Sequence, residues 1–96
     1  MPNKPQPPPA PAGGRERDIQ KVIAALASPI RREILALIWD REVPAGEIAA
    51  AFAVTKPTIS QHLSVLRDAG LATSRRDGRS VRHTLTQQGR SLLEGR

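Results

Sequence analysis

Cysteine is absent from the 96 residues, which excludes disulfide staples, thiolate metal ligands and thiol redox chemistry. No apolar run approaches the ~18 residues that read as a membrane-spanning helix. The N-terminus is rich in proline rather than leucine, so neither a span nor a signal peptide is expected, and the protein reads as cytoplasmic. Catalytic settings are missing too. Serine, histidine and acidic residues occur, but without a recognisable nucleophile or acid/base pairing, and no glycine-rich phosphate loop follows a strand. The chain therefore reads as a non-enzyme. His62 and His83 stand without further ligands around them, so neither a metal nor another cofactor is expected.

What is present is a small, basic chain. One domain of this size buries a modest core and often needs a partner subunit, which makes a homodimer the expectation. Residues 1–55 hold seven basic and six acidic side chains, and residues 56–96 hold eight and three, so +5 of the net +6 lies in the second part. A polyanion suits that part, and nucleic acid is the commonest one; a basic surface that only confers solubility is the plain alternative.

The opening "MPNKPQPPPAPAGG" has six prolines and almost nothing to bury, so residues 1–14 are expected to form a disordered tail before a domain over 15–96. From Arg15 the pattern changes. Ile19, Val22, Ile23 and Leu26 recur at helical spacing and form one apolar stripe. "SPIRREILALIW" restarts a helix, with Ser28 as N-cap, Pro29 at the first helical position, Ile30, Ile34, Leu37 and Ile38 inward, and Trp39 closing its end. After a break at "DREVP", "AGEIAAAF" predicts a short helix that contributes Ile48, Ala49 and Phe52 to the core. "AVT" is the turn that follows, and Thr55 is the expected N-cap of the next helix.

That next helix, "TKPTISQHLSVLRDA", carries the chemistry. On a wheel of ~100° per residue, Ile59, Leu63 and Leu66 define a buried side. Pro57, Ser60, Gln61, Ser64 and Asp68 form the outward stripe, which has little charge for so basic a protein. A helix lying in the major groove needs short or amide side chains at its tip, because bulky charged ones would hold it off the bases. Gln61 can pair an adenine edge, Ser60 and Ser64 can serve base or phosphate, and Pro57 and Thr58 can touch a thymine methyl. Lys56, His62 and Arg67 complete the candidate contacts, with His62 either packed at the core edge or donating to a phosphate. An ordinary solvent-facing stripe could hold the same residues.

Gly70 ends this helix, and "LATSRRDGRSVRHTL" alternates around Asp77-Gly78, a strong hairpin signal that requires positive φ in the turn. Arg75, Arg76, Arg79 and Arg82 crowd the hairpin against one acid, Asp77. A basic hairpin beside a reading helix acts as a wing that clamps flanking phosphates or enters the minor groove. "TQQGRSLLEGR" closes the chain with a short helix bearing Leu92 and Leu93. Those leucines, together with Ile19, Val22, Ile23 and Leu26, are the expected dimer interface.

The run from "LASPIRREIL" through "GEIAAAFAVTKPTISQHLSVLRDAGL" to "RRDGRSVRHTL" resembles the ArsR family of small winged helix-turn-helix repressors, over about residues 19–94. The resemblance is specific in "SQHLSVLRDAGL", which matches the family's Ser-x-His-Leu-x-x-Leu-x-x-x-Gly-Leu signature, and in Gly78-Arg79 of the wing. It implies a mainly α fold with a small β-hairpin in the order α-α-α-α-β-β-α. The first and last helices would form the dimer, and Thr55 to Ala69 would be the recognition helix. It also implies a homodimeric repressor of double-stranded DNA with an inverted-repeat operator, often in its own promoter. The family's thiolate metal sensors carry Cys-x-Cys where this chain has Pro44, Ala45 and Gly46; their other site uses Asp and His on the last helix, which here offers Gln87, Gln88, Ser91 and Glu94. Neither site can be built. An unknown small-molecule effector at the dimer seam and control by concentration alone are both compatible with these residues. The competing reading from another class is a winged-helix module that binds the acidic surface of another protein, which fold alone does not exclude.

Overall fold

The computed structural model describes residues 19–95. The tail expected over 1–14 and the domain boundary at Arg15 lie outside the described residues. The described part of helix α1 covers 19–26 and gives way at Ala27 and Ser28 to α2, Pro29–Leu37. Ser28 makes this break productive: extended at φ −96°, it accepts from the Arg31 backbone N–H at 3.4 Å, while Pro29 opens the helix where no N–H is needed. A two-residue strand β1, Val43–Pro44, leads into α3, Ala45–Phe52. Ala53 then turns the chain at φ 56°, and α4 spans Lys56–Asp68. Strands β2, Ala72–Asp77, and β3, Ser80–Leu85, form the wing, and α5, Gln87–Leu93, follows.

One core joins these elements. Ile34, Ile38, Val43, Ile48, Ile59, Leu63, Leu66 and Leu71 are its largest fully buried side chains, drawn from α2, β1, α3, α4 and the loop before β2. Each such burial contributes roughly 1.5–3 kcal/mol, so α4 is held to the domain mainly by Ile59, Leu63 and Leu66. The inward set expected for α2 needs adjustment. Ile34 and Ile38 are buried, Ile30 and Leu37 only partly so, and Leu35, left out of that set, is 3% exposed. The helix ends at Leu37 with Ile38 as its C-cap, so Trp39 lies beyond it. Arg90 of α5 reaches back, its guanidinium 5.4 Å from the centre of the Trp39 ring and Nη2 donating to the Trp39 carbonyl at 2.6 Å.

The sheet is larger than the expected two-stranded wing. It has three antiparallel strands in the order β1-β3-β2, with Val43 opposite His83 and Ala72 opposite Leu85. Its centre is therefore β3, whose Leu85 N–H also donates to the Ile38 carbonyl at 3.0 Å and anchors the wing to the end of α2. The turn sits one residue later than Asp77-Gly78. Asp77 pairs with Ser80, leaving Gly78 and Arg79 as the two-residue loop, with Gly78 at φ 64° and Arg79 not at positive φ. That pattern suits a type II′ turn, which places glycine first. Burial does not alternate along β2, where only Ala72 is covered, because the hairpin projects from the domain.

Candidate nucleic-acid interface

The outward side of α4 is set by its cap and its core stripe. Thr55 Oγ1 accepts from the Thr58 N–H at 3.3 Å and lies 3.0 Å from the Thr58 hydroxyl, which fixes the first turn and leaves Thr58 half-buried. With Ile59, Leu63 and Leu66 inward, Lys56, Pro57, Ser60, Gln61, Ser64, Arg67 and Asp68 are exposed. Among the described residues no hydrogen bond engages the side chains of Ser60, Gln61 or Ser64. They are free to pair with groups outside the chain.

The four wing arginines are not equivalent. Arg75 grips Glu42, just before β1, with two parallel bonds: Nε to Oε2 at 3.0 Å and Nη2 to Oε1 at 2.5 Å. That bidentate geometry is the strong form of the pair, and its hydrogen bond holds the Glu42 carboxyl below its ordinary range. Arg82 Nε lies 3.6 Å from Asp77, too far for a hydrogen bond, and is itself buried without a partner. Arg76 and Arg79 are exposed and make no ion pair among the described residues. An open groove of ≈ 880 Å³ separates the wing from α4, with Lys56, Ser60, Arg67 and Arg79 on its walls. Sequence order alone did not reveal that Arg75 is engaged, because Glu42 lies 33 residues from it.

Each histidine has its Nδ1 engaged by another side chain. His83, 6% exposed at the centre of the sheet, sits 2.9 Å from Ser74 Oγ through Nδ1, and Arg67 Nη1 of α4 reaches the same hydroxyl at 3.4 Å. His62, half-buried on α4, accepts from Arg31 Nη1 at 3.2 Å. Burial, and then the nearby Arg67 and Arg31 charges respectively, push both imidazoles below the ordinary value of 6.5. The unfolded chain therefore takes up these protons first, and the stability present above about pH 6.5 is lost as pH falls through the depressed folded values. Denaturant midpoints measured from pH 7.5 to 5 are expected to fall, and His83→Asn should flatten part of that slope. An unchanged slope in the variant would show that His83 does not titrate on unfolding.

A second surface lies on the helices away from the wing. Ile19, Ile23 and Leu92 are 53%, 63% and 50% exposed, whereas Val22, Leu26 and Leu93 pack partly against the core. The six apolar residues expected at an interface thus divide into three that face outward and three that support them. Beside them lies a small apolar groove of ≈ 270 Å³ with Leu26, Leu35, Trp39 and Leu93 on its walls. Periodicity along α1 alone did not indicate that Leu35 and Trp39 adjoin this face. Among the described residues no three of His, Asp and Glu gather as a metal site, and no helix is long and apolar enough to cross a membrane.

Comparison with known proteins agrees with this geometry. The family described as "Bacterial regulatory protein, arsR family" matches residues 28–74. The transcriptional repressor SdpR of Bacillus subtilis is 36% identical over 67 residues, covering 70% of this chain and 74% of SdpR. The HTH-type transcriptional regulator CmtR of Mycobacterium tuberculosis is 38% identical over 71 residues, covering 74% of this chain; the match spans only 60% of CmtR's length. Among solved structures, the homodimeric winged helix-turn-helix DNA-binding domain Mb0332 of Mycobacterium bovis superimposes with a TM-score of 0.78 at 25% identity, covering 99% of this chain and 84% of that one. In this fold α3 and α4 are the helix-turn-helix and β2–β3 the wing, and the chain belongs to the ArsR family of bacterial transcriptional regulators.

Proposed function

We propose that the protein is a homodimeric transcriptional repressor that reads an inverted-repeat operator in double-stranded DNA, in the cytoplasm and without enzymatic activity. Residues 15–96 form the binding domain, and the proline-rich residues 1–14 lie outside it. The observation that carries this reading is the exposed, unengaged stripe of Ser60, Gln61 and Ser64 on α4, set beside a wing whose Arg76 and Arg79 are free of ion pairs among the described residues. Pro57, Thr58, Ser60, Gln61 and Ser64 face the bases in the major groove. Lys56, His62, Arg67, Arg76 and Arg79 hold phosphates. Arg75 and Arg82, beside Glu42 and Asp77, stiffen the wing more than they grip DNA. Ile19, Ile23 and Leu92 meet their counterparts in the second copy, supported by Val22, Leu26 and Leu93. No effector is required by this reading, since operator occupancy follows from protein concentration.

Reading and gripping should separate in one experiment, binding to the DNA upstream of the protein's own gene and to scrambled DNA at several salt concentrations. Gln61→Ala should reduce discrimination between the two by about 1–3 kcal/mol if it makes a bidentate adenine contact. Arg79→Ala should weaken both about equally and lower the salt slope by about one unit, for one lost phosphate contact. A wing variant that changed sequence preference while Gln61→Ala did nothing would make the wing the reader, through a narrow minor groove. If neither variant altered DNA binding at any salt, a protein partner would be the better reading of this surface.

A further inference from the structure

Arg31 joins three helices through one planar group. Its Nε donates to the Ala25 carbonyl and its Nη2 to the Ala24 carbonyl, both at 2.9 Å, in the last turn of α1. Its Nη1 reaches His62 Nδ1, at 3.2 Å, on α4. The two carbonyls belong to the end of a helix, where backbone acceptors lack partners within the helix. A guanidinium has only donors, arranged in a rigid fork, so placing two of them on α1 largely determines where the third points.

The chemistry of that third bond fixes the state of the imidazole. Because Arg31 can only donate, His62 Nδ1 must offer a lone pair, and the ring's one proton must sit on Nε2. Nδ1 and Nε2 lie on opposite flanks of the ring, so this N–H is directed away from Arg31. No hydrogen bond among the described residues engages it. His62 follows Gln61 directly, at the edge of the stripe read above as facing DNA.

We propose that Arg31 is a positioning residue: it locks His62 as the Nε2–H tautomer, makes it an outward donor to a DNA phosphate, and ties that donor to the C-terminal end of α1. This rests on α4 being the DNA-reading helix. It adds a physical link between the helix of the dimer face and a contact on DNA, made by one side chain.

Two measurements on the full chain test it. Two-bond ¹H–¹⁵N correlation on protein labelled at histidine reads the tautomer above pH 7.5 without DNA. His62 should show a bare Nδ1 and a protonated Nε2, and in Arg31→Ala its pKa should rise toward the ordinary value; a protonated Nδ1 in the parent protein overturns the role of Arg31. Operator binding then compares His62→Asn with His62→Gln. Asparagine offers Arg31 an acceptor near the Nδ1 position but nothing further out, whereas glutamine can place an amide donor near the Nε2 position. His62→Gln should bind about tenfold more tightly than His62→Asn, as expected for a hydrogen bond to a charged group. Equal affinity overturns the outward donor while leaving DNA reading intact. Failure of the parent protein to bind DNA overturns the proposed function and the phosphate contact with it, and is told apart by that result alone.

Discussion

Ile23→Asp is expected to yield a folded monomer that no longer binds operator DNA at concentrations where the parent protein saturates it. Ile23 is 63% exposed, so its own subunit loses little when it becomes polar. Facing a second copy, the same carboxylate would be buried twice in an apolar seam without a partner, a cost that opposes association. A helix-turn-helix dimer gains its operator affinity by engaging two half-sites about one helical turn apart, and a monomer forfeits that gain. Leu26→Asp would be a poorer test, because Leu26 packs partly on its own core and its replacement also attacks the fold. Sedimentation equilibrium gives the mass, and far-ultraviolet circular dichroism confirms the helices. A variant that remained dimeric would place the interface on another surface.

Gly89→Val should be the most destabilising of the substitutions considered. Gly89 is buried in the first turn of α5, its N–H donating to Thr86 Oγ1 at 2.8 Å. A Cβ there would stand 2.9 Å from the Leu71 carbonyl oxygen and 3.1 Å from Leu71 Cα. Backbone cannot swing aside as a side chain would, and that carbonyl already accepts from the Thr86 N–H at 3.0 Å. Valine adds two methyl groups with little freedom at χ1. The expected loss is at or above the upper end of the ~1–3 kcal/mol typical of overpacking, a large share of the ~5–15 kcal/mol that holds a domain together. The urea midpoint should fall sharply while the slope is kept. Since α5 carries Leu92, dimerisation should weaken along with it. An unchanged midpoint would mean that α5 does not dock against Leu71.

Helix α4 was legible because its signals are local. Thr55, Pro57 and the spacing of Ile59, Leu63 and Leu66 act within a few turns, and the structure returns Lys56–Asp68 between Thr55 and Ala69 as caps. The third strand was not legible, since two residues cannot show a period; β1 forms because the outer edge of β3 is open beside it. The turn was displaced by one residue because Asp77 and Gly78 both suit turns, and only the pairing of Asp77 with Ser80 decides between them. The residue types proposed for the candidate site are visible in the sequence, but their wiring is not. Arg31 with His62 and Arg75 with Glu42 are contacts across 31 and 33 residues, made by long side chains whose partners no local pattern names.

The sheet carries a further consequence, for life at high concentration. An open strand edge is a template on which other chains can stack into fibres. Here one edge is β1, only two residues long, and its Pro44 has no N–H to offer. The other edge, β2, bears Arg76, which is exposed and free of ion pairs among the described residues, so a second β2 brought alongside would meet like charge. Both margins thus resist strand-by-strand polymerisation. The same basic hairpin proposed to hold phosphates therefore also acts as a gatekeeper against aggregation, and neutralising its arginines to weaken DNA binding would lower the protein's solubility as well.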